Sequence, residues 1–302
     1  MFLQNPLSTL RALFLMAAVS MASAYAQAET KNYSVTAPDG VSLAVQESGD
    51  PDGPAIIFIH GLLGSHLNWD QQVDSPLLQR YRIITYDMRG HGLSGKPSAA
   101  TAYAEGMRWA DDLAAIMKTA KVTRPVLAGW SVGGTVISNY LAKYGDQQIA
   151  GAVYVDGVIE LKPEQITAHP DIYKNLNATD LKTHLDTVRA FLQLCFHTQP
   201  DSRTFERLFA NAAMASWDMQ KAVMGMDIDA VKGLGKAKVP VLLLYGAQDA
   251  LVQPNAAIAR AVQLNPRVKS VVYENSGHAP FLEEPERFNR DLAAFIESSA
   301  KR

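Results

Sequence analysis

The chain has one cysteine, Cys195, in 302 residues, so no intramolecular disulfide can form and stability has to come from an apolar core. Cys195 lies in the apolar stretch from Phe191 to Phe196 with no motif around it, which reads as a buried small hydrophobe and not as a nucleophile. An excess of either charge is also missing: 28 Lys and Arg stand against 30 Asp and Glu, for a formal net charge of -2. That balance offers no extended basic surface for neutralising phosphates and argues against a nucleic-acid partner. Internal repeats, low-complexity tracts and long blocks of like charge are absent from the sequence, which sets aside solenoids and disordered tails. It contains neither H-E-x-x-H, nor a cluster of cysteine and histidine, nor a glycine fingerprint for a dinucleotide. No metal, nucleotide or other cofactor is therefore expected.

What is present suits a globular enzyme-sized domain: 48% of residues are hydrophobic and 19% charged, enough to bury a large core in one domain or in one domain with an insertion. The first thirty residues differ from the rest. Arg11 precedes the apolar run ALFLMAAVSMA, and small residues end in Ala24-Tyr25-Ala26 and Ala26-Gln27-Ala28. The run is shorter than the roughly 20 residues needed to span a bilayer, and either A-x-A offers a cleavage site. Residues 1–26 are expected to be a signal peptide, cut after Ala26 or Ala28, with the mature protein periplasmic or secreted and not inserted in a membrane. An uncleaved anchor or a flexible tail is the alternative. No cysteine follows the run, which argues against a lipid-modified amino terminus.

Beyond the signal, short β-branched runs alternate with amphipathic helical patterns, the sign of a largely parallel sheet covered on both faces. Strands are expected at 32–37 and 41–48, a hairpin across Pro38-Asp39-Gly40 at one edge, and then at 55–60, 82–87, 125–130, 151–156, 239–245 and 269–274. Helical stripes run through Met107, Ala110, Leu113, Ala114 and Met117, through Val136, Tyr140, Leu141 and Tyr144, and through Phe281, Pro285, Phe288, Leu292 and Phe295. From 158 to 236 the alternation stops, and helical patterns rich in Phe, Met and Leu take over. Some eighty residues between neighbouring strands cannot be a plain loop, and this segment is expected to be a helical lid on a core made of 31–157 and 237–302. Phe191, Phe196, Phe205, Phe209, Met214, Trp217, Met224 and Met226 would divide between its own core and a ceiling over the site.

Gly129-Trp130-Ser131-Val132-Gly133 fits G-x-S-x-G, and it falls between an expected strand and an expected helix. In that context the serine sits on a strained turn that lifts its hydroxyl into the open, and the helix directs its positive end toward any anion formed there. Ser131 is the candidate nucleophile. A hydroxyl needs a base to take its proton, and His278, after the last strand, is the best placed of the seven histidines. His60 and His91 sit in glycine-bearing turns, where hydrogen bonds to backbone explain them, and His66, His169, His184 and His197 lack motif context. The base needs an acid to fix its tautomer. Asp249, past the strand at 239–245, gives the order serine, aspartate, histidine, while Asp156 at the end of the preceding strand is its rival. The amides of Val132 and of Leu62, the latter in the turn from His60 to Gly64, are candidate oxyanion donors.

HGLLGS from His60, YDMRGHGLSGKP from Tyr86, GWSVGG from Gly129, GAQD from Gly246 and SGHAPFLEEPERF from Ser276 together resemble the α/β-hydrolase superfamily over nearly the whole mature chain. Within it the chain is most similar to small esterases and cofactor-free haloperoxidase-like hydrolases. The resemblance implies an eight-stranded, mostly parallel sheet with helices on both faces, and hydrolysis of a small to medium carboxylic ester through an acyl-enzyme. Haloalkane dehalogenases and epoxide hydrolases of the superfamily carry aspartate where Ser131 stands, so both are disfavoured. The short glycine run, with only Gly61 and Gly64, argues against esters of bulky tertiary alcohols, and Trp130 is expected to pack under the elbow. Perhydrolysis, lactone opening, amide cleavage and carbon-carbon cleavage use the same groups and stay open. So does a ligand-binding protein that keeps the fold without turnover.

Overall fold

The computed structural model describes residues 30–300; the expected signal at 1–26 lies outside them. At one edge β1 (Lys31–Thr36) pairs antiparallel with β2 (Ser42–Gly49). Six further strands follow: β3 (Ala55–Ile59), β4 (Arg82–Tyr86), β5 (Val126–Trp130), β6 (Gly151–Val155), β7 (Val241–Gly246) and β8 (Lys269–Tyr273). All eight lie in one sheet of order β1-β2-β4-β3-β5-β6-β7-β8, in which β3 to β8 are mutually parallel and β2 alone runs against the rest. Every residue of β3, β5, β6 and β7 is buried. This is why those strands read as continuous apolar runs without alternation: both faces are covered by helices. β8, at the far edge, exposes Lys269 and Ser270.

The helix Gly106–Ala120 turns Trp109, Ala110, Leu113, Ile116 and Met117 to the sheet, and Val132–Tyr144 is buried from Val132 to Leu141. The stripe from Phe281 to Phe295 is not one helix. A short turn, Pro280–Glu283, precedes the helix Pro285–Ala300, because Pro285 has no N–H to continue the first and its fixed φ suits the opening position of the second. Phe281 packs against Trp69 and Phe288 at centroid distances of 4.4 and 6.0 Å, holding the break in place.

Between β6 and β7 the chain forms Pro170–Asn175, Leu181–Leu194, Ser202–Ala213 and Trp217–Ala222. Three of these start where a short polar side chain can accept from first-turn amides: Asp180 from Thr183, Asp201 from Arg203 and Thr204, and Ser216 from Met219. Phe191, Phe196, Phe205, Met226 and Cys195 are buried, whereas Met214 and Met224 face solvent. Among the described residues no helix is long and apolar enough to cross a membrane.

Candidate active site

β5 ends at Trp130 and the next helix starts at Val132, which leaves Ser131 alone on the corner with φ 53° and ψ −119°. A non-glycine residue in the left-handed region costs about 1–3 kcal/mol and persists only where its surroundings over-determine it. Here they do. The Ser131 N–H donates to the Val155 carbonyl at 2.9 Å, and the Ser131 carbonyl accepts from Gly134 and Val158, each at 2.9 Å. The turn also needs close backbone approach. A Cβ on Gly129 would lie 2.5 Å from the Gly133 carbonyl oxygen, and one on Gly133 would lie 2.5 Å from that of Ile59. Any side chain at either position would push the helix off the sheet.

His278 follows β8 and Asp249 follows β7, and the imidazole Nδ1 lies 2.7 Å from Asp249 Oδ2. Asp249 Oδ1 accepts from the amides of Leu251 and Val252 at 2.7 and 3.0 Å, so the carboxylate is fixed before the histidine meets it. The two side chains are 2% and 0% exposed. A proton on Nδ1, shared with the carboxylate, leaves Nε2 as the lone-pair nitrogen a base requires. Trp130 Nε1 donates to the His278 carbonyl at 2.6 Å, and the two rings lie 5.6 Å apart, which ties the histidine loop to the residue before Ser131. Ser131 Oγ itself makes no hydrogen bond to His278. Such contacts commonly tighten only when substrate is bound.

Of the two candidate acids it is Asp249 that bonds the imidazole. Asp156 is also close: one ligand atom from each of Asp156, Asp249 and His278 lies within 4.8 Å of the other two. Asp249 and His278 spend their facing atoms on each other, and Asp156 stands behind that pair.

The loop from His60 to Gly64 lies against the elbow. A Cβ on Gly61 would sit 3.0 Å from Ser131 Cβ and 2.9 Å from Trp130 Cε3. Leu63 takes φ 60°, and among the described residues neither Leu62 N–H nor Val132 N–H has a protein acceptor. His60 shapes this loop: Nε2 accepts from Met88 N–H at 2.9 Å, and Nδ1, which must then carry the proton, donates to the Gly61 carbonyl at 2.7 Å. Burial pushes its pKa down to about 4, so it is neutral near pH 7. His91 donates to the Arg89 carbonyl and is likewise held neutral, its pKa pushed down to about 3 by burial. His66 is bound to Asp87 at 2.8 Å, and that hydrogen bond raises its pKa. His169 and His184 bond the carbonyls of Ala250 and Leu176.

Glu283 has a role that no sequence signal singled out. Its Oε1 accepts from Gly277 N–H at 2.8 Å, and its Oε2 accepts from Thr198 N–H at 2.7 Å. One carboxylate therefore clips the histidine loop to the loop that follows Leu181–Leu194. The available hint was an acid five residues after His278 in the same motif. Asn211 adds a second tie, with its Nδ2 3.4 Å from the Leu63 carbonyl.

A sheet of this order, with a serine on a left-handed corner after β5 and an aspartate-histidine pair after β7 and β8, defines a hydrolase of the α/β-hydrolase fold. The family model described by that name matches residues 54–285, and the chain belongs to this family. The chain is similar to a bifunctional esterase/perhydrolase of Acinetobacter calcoaceticus, 29% identical over 87% of this chain and 99% of the relative. It is similar also to a non-heme chloroperoxidase of Streptomyces lividans, 28% identical with the same coverage of both chains. Among solved structures, a candidate aryl esterase from Burkholderia cenocepacia is 67% identical, covers 90% of this chain and 100% of its own, and superposes with a TM-score of 0.90.

Proposed function

We propose that the protein is a serine esterase that cleaves small to medium carboxylic esters through an acyl-enzyme. Ser131 attacks the carbonyl carbon as His278 Nε2 takes its proton, and the tetrahedral oxyanion is held by the amides of Leu62 and Val132. The imidazolium returns the proton to the leaving alcohol, and water attacks the acyl group under the same base. The observation that carries the reading is the His278–Asp249 contact of 2.7 Å beside a serine at φ 53°, since strain is retained where geometry has work to do. The structural relative named as an aryl esterase supports phenyl esters as the first substrates to try.

Ser131→Ala should lower kcat/KM for an activated aryl ester by about 10⁴-fold or more with the melting temperature kept, and a fluorophosphonate should label wild type at Ser131 alone. Full activity in the variant would overturn the assignment; an unlabelled, inactive wild type would favour a binding protein on the hydrolase fold.

A second reading draws on the relative named as an esterase and perhydrolase: hydrogen peroxide replaces water in deacylation and the product is a peracid. Peroxide-dependent peracid formation, lost in Ser131→Ala, would establish it. The segment 158–236 is proposed to act as a lid, tied to the site through Glu283 and Asn211. Export with removal of residues 1–26 or 1–28 is proposed from the sequence, and amino-terminal sequencing of the mature protein tests it.

A further inference from the structure

Asp156 is a buried ionisable group beside the aspartate-histidine pair that the proposed reaction leaves unused. It is the first residue after β6, fully buried, and its backbone takes φ 42°. It is also built into the elbow: Val155, just before it, accepts the Ser131 N–H, and Val158, two residues on, donates to the Ser131 carbonyl. Its Oδ1 accepts from Gly246 N–H at 2.8 Å, while its Oδ2 is sealed from solvent and has no hydrogen-bond partner among the described residues. An ionised carboxylate in that state would hold buried charge on an oxygen with no donor facing it, which is costly. A carboxylic acid there carries a hydrogen that needs an acceptor, and Asp249 offers one: a carboxylate oxygen of each residue lies within 4.8 Å of the other.

Two buried carboxyls this close oppose each other's ionisation, and the proton settles on the less supported one. Asp249 has two backbone amides and the imidazole N–H; Asp156 has one amide. The other titratable groups around them are His278, Glu283, Tyr245, Tyr173 and Cys195. None supplies a positive charge to Asp156 while His278 is neutral. Burial, and after it the charge of Asp249, raise the Asp156 pKa well above the usual carboxylate range.

We propose that Asp156 is a positioning residue held as the neutral acid, which presents its hydroxyl to Asp249 and so completes a relay Asp156–Asp249–His278 behind Ser131. The inference rests on the serine-esterase reading for its consequence, though not for the protonation itself. A neutral donor spreads part of the Asp249 charge away from the imidazole. This limits how strongly the resting histidine is pulled toward the imidazolium, which cannot act as a base. Asp156 thereby acts on His278 through Asp249, without touching the reacting atoms.

Two variants separate this role from packing. Asp156→Asn keeps the shape, an acceptor for Gly246 N–H and an N–H donor toward Asp249, and asparagine tolerates positive φ. Asp156→Gly removes the carboxyl without backbone strain. The proposal expects the acid limb of kcat/KM for an aryl ester to stay in place in the asparagine variant and to move up by about half a pH unit or more in the glycine variant, as Asp249 loses a donor. If Asp156 were ionised, asparagine would remove a negative charge near His278, and the limb would move down; that result overturns the proposal. So does an unmoved limb in the glycine variant, which would leave a role in packing alone.

Infrared difference spectroscopy of resting wild type against Asp156→Asn, at a mildly alkaline pH where ordinary carboxyls are ionised, reads the proton without any turnover. Loss of a protonated-carboxyl stretch in the variant supports the neutral acid, and loss of an ionised-carboxylate band overturns it. A wild type that neither hydrolyses esters nor takes the fluorophosphonate would sink the esterase reading and leave the infrared result to stand. A labelled, active wild type without the protonated-carboxyl band would sink this inference alone.

Discussion

Gly61 has no side chain because Ser131 and Trp130 occupy the space one would need. Gly61→Ala would put a methyl 3.0 Å from Ser131 Cβ and 2.9 Å from the indole, and Leu62 N–H would turn away as the loop retreats. Misplacing one oxyanion donor costs about 10²–10³-fold in kcat, so the variant should fold, keep its KM within a few-fold and lose about that much turnover. Steady-state kinetics with an aryl ester check this, and a raised KM with kcat intact would assign the loop to binding. Trp130→Phe is milder. It removes the indole hydrogen bond to the His278 carbonyl and keeps most of the packing, so it should cost about 1–3 kcal/mol of stability through an unpaired buried acceptor, read as a lower melting temperature. The serine was legible as a residue because its motif is local. Asp249 was legible as the acid from its place just past a parallel strand, and it is the acid that bonds His278; that Asp156 would stand within 4.8 Å of the same pair was not, because it turns on which way two side chains point after adjacent parallel strands.

Among the elements, the strands were legible in sequence for a simple reason: β3, β5, β6 and β7 are buried on both faces and must be unbroken apolar runs. The ties between the 158–236 segment and the sheet edge were not legible, since Thr198 and Glu283 are 85 residues apart in the chain. Nor was the break before Pro285, where a continuous apolar stripe ran across two separate helices. Glu283→Gln tests the main tie. An amide can accept from only one of the two N–H groups and presents its own N–H to the other, so Gly277 or Thr198 loses its bond. The expected result is faster proteolytic nicking between 170 and 236, with esterase activity lowered because the His278 loop is loosened as well. Unchanged proteolysis would show that apolar packing alone holds the segment.

At the scale of the whole molecule, the buried histidines couple folding to pH. Burial pushes His91 down to about 3 and His60 to about 4, against about 6.5 in the unfolded chain. Inside that window the unfolded state binds protons that the folded state refuses. Stability therefore falls as the pH falls, by about 1.4 kcal/mol per pH unit for each histidine. Asp112, which burial pushes up to about 6, acts in the opposite direction over part of the range, so a difference between variants is the clean reading. His91→Asn should be less stable than wild type at neutral pH, yet lose less stability between about pH 6 and pH 4. Chemical denaturation at both pH values decides it, and equal losses in the two proteins would show that His91 is not held neutral.

The proposed mechanism requires that the hydroxyl of Ser131, the imidazole of His278 and the amides of Leu62 and Val132 serve one reacting carbon. The most direct measurement is a crystal structure of the protein inactivated by an aryl phosphonate, a tetrahedral stand-in for the acyl-transfer intermediate. The proposed mechanism predicts phosphorus bonded to Ser131 Oγ, the phosphoryl oxygen within about 2.7–3.1 Å of both amide nitrogens, and His278 Nε2 facing Ser131 Oγ or the leaving-group oxygen. An adduct on another residue, or a phosphoryl oxygen turned away from Leu62 and Val132, would contradict it.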